Sequence, residues 1–192
     1  MKEINILTEI RLFGDWAPCS KKVFMESIDE FSLINIEGPF KKNNDLDFKR
    51  AQKAGPYLFN NTLPEKIKNC VAILANNHLM DYGEIGFENT IKELNKLNIN
   101  YVGAGKSYKE ASKPYVFSLD GSKIALFARA EKQFGISYGN YTGVAPIDAN
   151  FYKELKQYTN KVDLIILSIH GGAEMSPWPS PDRQDLYRSF ID

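Results

Sequence analysis

The chain has 192 residues, and its 24 Lys and Arg are matched by 24 Asp and Glu. This balance, with no long basic run, gives no support to broad electrostatic capture of nucleic acid. Two cysteines are too few for a disulfide framework or a thiolate zinc cluster, and no apolar run approaches the ~20 residues of a membrane-spanning helix.

One domain over residues 1–192 is the prior for this length. Met1-Lys2-Glu3-Ile4-Asn5 lacks the apolar centre of a signal peptide. As given, the chain reads as cytoplasmic; association with the cell envelope would need a leader or anchor outside it. Ile6-Leu7-Thr8-Glu9-Ile10-Arg11-Leu12-Phe13 alternates in part and predicts one or two opening strands, ended by Gly14-Asp15-Trp16. Asp15 is placed either to bind a ligand or to cap the following turn. Lys21 to Phe31 carries Val23, Phe24, Ile28 and Phe31 at amphipathic spacing. Leu33, Ile34 and Ile36 make a short strand that Gly38-Pro39 ends, which leaves Glu37 as a second acid at a strand end. Two hard oxygen ligands at one sheet edge suit a divalent cation. Lys41 to Arg50 reads as a solvated loop, and Gly55-Pro56-Tyr57-Leu58-Phe59 as a turn with buried aromatics. Leu63 to Lys68 reads as a short helix with Pro64 in its first turn.

Val71-Ala72-Ile73-Leu74-Ala75 predicts a buried strand that stops in Asn76-Asn77-His78. Ligands in open α/β sheets bind outside the carboxyl ends of strands, where these three residues would stand. They also suit a polar loop whose amides cap a helix and whose His is solvated. Tyr82 to Gly86 reads as a turn, and Phe87, Ile91, Leu94 and Leu97 then mark one face of a helix. Ile99 to Val102 is a short strand closed by Gly103-Ala104-Gly105, which lacks the third glycine of a dinucleotide fingerprint. Asp120-Gly121 between two β-rich arms is a hairpin signal. Glu131 to Thr142 reads as a long loop, and Phe151 to Tyr158 as a short helix. Leu164 to Ile169 is apolar enough to predict burial on both faces. It ends in His170, and Gly171-Gly172 allows close approach to something bound. Met175 to Pro181 reads as irregular, and Gln184 to Ile191 as a helix with Leu186, Tyr187 and Phe190 apolar.

Asp15, Glu37, Asn77 and His170 thus stand after four separate predicted strands. Two carboxylates, an amide and an imidazole form a set for Mn, Fe or Zn with positions open to water. Two nearby ions would clamp a phosphoryl group and activate water for in-line attack. His78 would then be free to donate a proton to a leaving oxygen or to hold a phosphate oxygen. The sequence has no Gly-x-Ser-x-Gly elbow and no Walker loop, and neither cysteine adjoins a His.

Several motifs, in order, resemble those of the CapA family, the capsule and poly-γ-glutamate synthesis proteins. They are Phe13-Gly14-Asp15, Asn35-Ile36-Glu37-Gly38-Pro39 and Leu74-Ala75-Asn76-Asn77-His78-Leu79-Met80-Asp81-Tyr82-Gly83. Gly86-Phe87 through Thr90, Leu94 to Val102-Gly103-Ala104-Gly105, and Ser168-Ile169-His170-Gly171-Gly172-Ala173-Glu174 with Pro179 and Gln184 continue the match. The resemblance implies an α/β fold, a metallophosphoesterase-like β-sandwich flanked by helices in the order α-β-β-α. It implies Asp15 as the first metal ligand, Glu37 as the bridging carboxylate, Asn77 as the amide ligand and His170 as a further ligand. It places His78 beside the phosphate, Asp81 behind it to orient it or the turn, and Asn76 and Glu174 near the site. The implied cofactor is a divalent metal, as two ions. The implied function is a metal-dependent hydrolase in capsule or envelope-polymer synthesis, acting on a small phosphoester or a polymer bond. The alternative is a non-catalytic accessory protein of capsule assembly that keeps the fold. The sequence departs from the family at Gly171, where an aromatic is usual, and ends before a Gly-His-His-Pro-His-like motif. That ending predicts an incomplete domain lacking its C-terminal part, with an unpaired sheet edge open to association with another chain.

Overall fold

The computed structural model describes residues 9–18, 27, 30–41, 50–63, 69–173 and 175–191. The helix expected from Lys21, the loop from Lys41 and the short helix from Pro64 lie largely or wholly outside these residues, as do Cys19 and Glu174.

The first sheet is parallel, in the order β1 (Arg11–Trp16), β2 (Ser32–Ile36), β3 (Cys70–Ile73) and β4 (Asn100–Val102). Every residue of β2 and β3 is buried, as befits parallel strands covered on both faces. The helix α1 (Gly83–Lys96) joins β3 to β4 and begins at Gly83, inside the stretch expected to be a turn. It buries Gly86, Phe87, Thr90 and Leu94. Thr90 interrupts the apolar stripe without cost. Its hydroxyl donates to the carbonyl of Gly86 and accepts from the N–H of Phe40, each at 2.8 Å.

After β4 come β5 (Ala104–Gly105), the single helical turn α2 (Tyr108–Ala111), and a hairpin of β6 (Tyr115–Leu119) and β7 (Ser122–Ala130). Asp120 and Gly121 turn the hairpin at φ of 47° and 79°, the left-handed pair that a tight two-residue turn requires. Strand β8 (Gly143–Val144) pairs back onto β5, and α3 (Phe151–Lys156), β9 (Leu164–His170) and α4 (Pro181–Arg188) complete the chain. The second sheet has the order β6-β7-β9, with β9 parallel to β7.

Strand β7 is the hinge between two cores. Leu126, Ala128 and Ala130 join the larger one, with the first sheet and α1; Ala125 and Phe127 join a smaller one with Phe151 and Leu155 of α3. The layers are therefore helix, sheet, sheet, helix, as expected. The packing is tight at Gly103, at φ +91°, where a Cβ would sit 2.8 Å from the Cβ of both Ala75 and Ala128.

The expected burial of β9 on both faces needs correction. Leu164 is 48% exposed and the rest of β9 is only half-buried. Among the described residues β9 is an outer strand, paired with β7 on one side alone. In α4 no residue is fully buried and Leu186 is exposed, although Phe190, just past its end, packs on Phe151 at 4.9 Å between ring centroids. Among the described residues no helix is long and apolar enough to cross a membrane.

Candidate functional site

Asp15 does not follow its strand but lies within it. The register of β1 on β2 runs Phe13 to Ile34 and then Asp15 to Asn35, so Gly14 is an extra residue. Such a bulge re-aims the side chain after it. The Asp15 carboxylate accepts a hydrogen bond from Nδ2 of Asn35 at 2.6 Å. Asn35 Oδ1 in turn accepts from Nδ2 of Asn76 at 3.3 Å, and Nδ2 of Asn76 also donates to the carbonyl of Ile36 at 2.8 Å. Oδ1 of Asn76 accepts from the N–H groups of His78 and Leu79 at 3.1 and 2.9 Å. One fully buried amide thus ties the ends of β2 and β3 together and shapes the turn that follows. The reading of this stretch as a solvated loop needs correction, because His78 is buried. Asn76 caps a turn, though not the helix, while Asn77 and His78 face a cavity.

That cavity has a volume of about 430 Å³ and is lined by Glu37, Asn77, His78, Gln133 and His170, among others. A larger groove of about 590 Å³ runs along the outer face of α1, away from these residues. Glu37 stands one residue past β2, and His170 is the last residue of β9. Nε2 of His170 lies 3.0 Å from Oδ1 of Asn77 and 3.8 Å from Oε1 of Glu37. An amide oxygen only accepts, so this contact puts the imidazole proton on Nε2. The pKa of Glu37 is raised above the usual 4.5, first by burial and then by the nearby Asp15 carboxylate. That of His170 is lowered from 6.5, first by burial, against the pull of Asp15. The Asp15 carboxylate thus acts on both groups, while Lys53 and His78 act on Glu37 in the opposite sense. Among the described residues no three His, Cys, Asp or Glu groups close into a preformed cluster. His170 is the residue that approaches both Asn77 and Glu37, while Asp15, which does not line the cavity, acts on Glu37 and His170 through its charge.

Behind this set lies a buried triad. Nδ1 of His78 is 2.7 Å from Oδ2 of Asp81, which also accepts from the N–H of Leu58 at 2.7 Å. Lys53 makes an ion pair with the other oxygen of Asp81. Asp81 thus serves both the ring of His78 and the turn.

Glu131, just past β7, organises the cavity's far wall. Its carboxylate takes Nε and Nη2 of Arg183 at 2.6 and 2.9 Å and the hydroxyl of Tyr187 at 2.8 Å. These bonds, led by Arg183, hold its pKa below 4.5, while burial and the Glu131 contact push Tyr187 up to about 12. The departure at Gly171 is explained here: a Cβ at that position would lie 2.5 Å from Cδ of Glu131. An aromatic side chain there would displace the acid that anchors α4.

The residues that sequence reasoning missed are Asn35, Lys53, Glu131, Arg183 and Tyr187. Asn35 stood in the Asn35-Ile36-Glu37-Gly38-Pro39 motif but was given no role. Glu174 lies outside the described residues.

The fold defines the class: an α/β sandwich of the metallophosphoesterase-like kind, with polar side chains gathered where its two sheets meet. The family described as bacterial capsule synthesis protein PGA_cap matches residues 13–192, and the chain belongs to that family. It is similar to the capsule biosynthesis protein CapA of Bacillus anthracis, at 26% identity over 179 residues, covering 80% of this chain and 44% of that protein. It is similar also to the PGA biosynthesis protein CapA of Bacillus subtilis (strain 168), at 29% over 167 residues, covering 82% of this chain and 43% of that protein. The chain therefore spans less than half the length of these relatives.

Proposed function

We propose that the chain acts in capsule or poly-γ-glutamate synthesis as a metal-dependent hydrolase of the metallophosphoesterase type. The observation that carries this reading is the convergence of Glu37, Asn77, His78 and His170 from separate elements on one cavity. Asp15, Glu37, Asn77 and His170 would hold divalent ions, and their donors, oxygen with one imidazole nitrogen, suit Mn, Fe or Zn. When bound, such ions supply charge for a phosphoryl group and lower the pKa of water. His78 directs Nδ1 at Asp81, so the opposite edge of its ring is the one left to exchange a proton with a leaving oxygen. Gln133 and the Gly171-Gly172 backbone line the space that a substrate would occupy. The substrate is a phosphoester or an envelope-polymer bond, and pairing of a further strand on the outer edge of β9 belongs to the same proposal.

Purified chain incubated with Mn²⁺ is expected to retain metal and to hydrolyse an aryl phosphate. Glu37→Gln and His170→Ala are expected to lose both properties. Absence of bound metal together with absence of turnover overturns the enzyme reading. One observation favours the alternative, a non-catalytic accessory protein of capsule assembly: His170 and Asn77 already satisfy one another without an ion. Retained fold with neither metal nor turnover is the outcome that reading requires.

A further inference from the structure

Lys53 is a buried cation that the proposed chemistry does not use. Its side chain is 6% exposed and that of Asp81 is fully buried. Nζ lies 3.1 Å from Nδ1 of His78, and 5.4 and 5.3 Å from the ring centroids of Tyr57 and Phe134. A buried ammonium is costly unless it is paired, so a lysine here needs a reason beyond packing.

The surrounding chain is built round the same acid. The N–H of Ala51 donates to the main-chain carbonyl of Asp81 at 2.9 Å, and the N–H of Leu58 to its carboxylate at 2.7 Å. The hydroxyl of Tyr57 donates to the carbonyl of Ala51 at 2.6 Å and closes the loop on itself. Segment 51–58 therefore clasps Asp81 from both the main chain and the side chain, with Lys53 inside the clasp.

The contact with His78 is one of orientation. Lysine only donates, and a bare Nδ1 could not stand 2.7 Å from a carboxylate oxygen. The consistent arrangement has Nδ1–H donating to Oδ2 of Asp81 while Lys53 holds Oδ1. We infer that Lys53 is a positioning residue for His78: it balances and fixes Asp81, so that the imidazole is held with Nδ1 inward and Nε2 toward the cavity. The inference rests on the hydrolase reading for the value of that orientation, but not for the orientation itself.

The chain has just two histidines, so long-range ¹H–¹⁵N spectra of the metal-free protein contain two imidazole patterns. His170→Gln assigns them. Wild type is expected to show His78 protonated at Nδ1 alone. In Lys53→Met both His78 nitrogens are expected to leave their wild-type shifts while those of His170 stay, and Lys53→Arg is expected to restore them. If Lys53→Met does not fold, Lys53→Gln removes the charge, keeps much of the reach and is read in the same way. With Mn²⁺ and an aryl phosphate, kcat is expected to fall about 10–100-fold in Lys53→Met with KM little changed, the usual size of an outer-shell loss. The inference is overturned if folded Lys53→Met keeps the wild-type His78 shifts, or if both histidines move together, which marks general loosening. A wild type without turnover sinks the hydrolase reading, and the nitrogen shifts still decide the role of Lys53.

Discussion

At the scale of single residues, Asp81 carries the heaviest demands. It has no exposed surface, yet it serves Lys53, His78 and the N–H of Leu58. Asp81→Asn leaves Lys53 buried without a counter-charge, and breaking such a pair costs about 3–5 kcal/mol. Urea unfolding should show the extrapolated free energy falling by that much, with a lower midpoint at an unchanged slope. Adding Lys53→Met should recover part of the loss, because an apolar side chain of similar length tolerates the site once the charge is gone; the interaction term of that cycle measures the pair. Ala at Gly171 is a second test, since its Cβ would meet Cδ of Glu131. An overpacking cost of about 1–3 kcal/mol is expected. It should largely vanish in a background of Glu131→Ala, where the clashing group is gone.

Among elements, α4 has the most precarious attachment. No residue within it is fully buried, so its position depends on Glu131 gripping Arg183 and Tyr187. The folded pKa of Glu131 is depressed, with the Arg183 bond as the first cause. Its contribution is therefore complete above the unfolded value of 4.5 and is lost as pH falls through the lower folded value. Amide exchange in α4 should quicken below pH 4.5 before it does in β2 or β3, and Arg183→Gln should abolish that pH dependence. This clasp was not legible in the sequence. Arg183 meets an acid 52 residues away in sequence, and nothing in local periodicity announces such a partner. Strand ends were legible because apolar runs stop abruptly: Leu33 to Ile36, Val71 to Ala75 and Leu164 to Ile169 each gave a true strand with a polar group at or just beyond its end. The placement of Asp15 inside its strand was not legible, because a single bulged glycine leaves no trace in alternation. Lys53 was passed over because it falls between the solvated run that ends at Arg50 and the turn that begins at Gly55.

Over the whole molecule, the two cores meet in one strand. Phe127, fully buried on the outer face of β7, meets Phe151 and Tyr158 at 6.0 and 5.4 Å between ring centroids. Truncation to Ala should cost about 3–5 kcal/mol. Thermal unfolding of that variant followed by exchange should show α3 released before the first sheet, since the smaller core has few other members. The α-β-β-α architecture was implied by the family resemblance alone; what the residues announced locally were the first sheet's buried strands and the Asp-Gly hairpin. How β9 would be covered was not readable: its apolar run satisfies equally well a central strand or an outer one.

The placement of His170 on the second sheet, opposite Glu37 and Asn77 on the first, has a thermodynamic corollary. Anything bound by all three is a staple across the seam, and it must be released before the sheets can part. Its binding energy then adds to the free energy of unfolding as RT ln(1 + [L]/Kd), about 2.7 kcal/mol at a hundredfold excess over Kd. Mn²⁺ titration should raise the melting temperature without a plateau tied to stoichiometry, and His170→Ala should flatten that curve while Glu88→Ala, on the far side of α1, leaves it as it was. The seam of the sandwich thus becomes a gauge in which occupancy is read as mechanical cohesion of the fold.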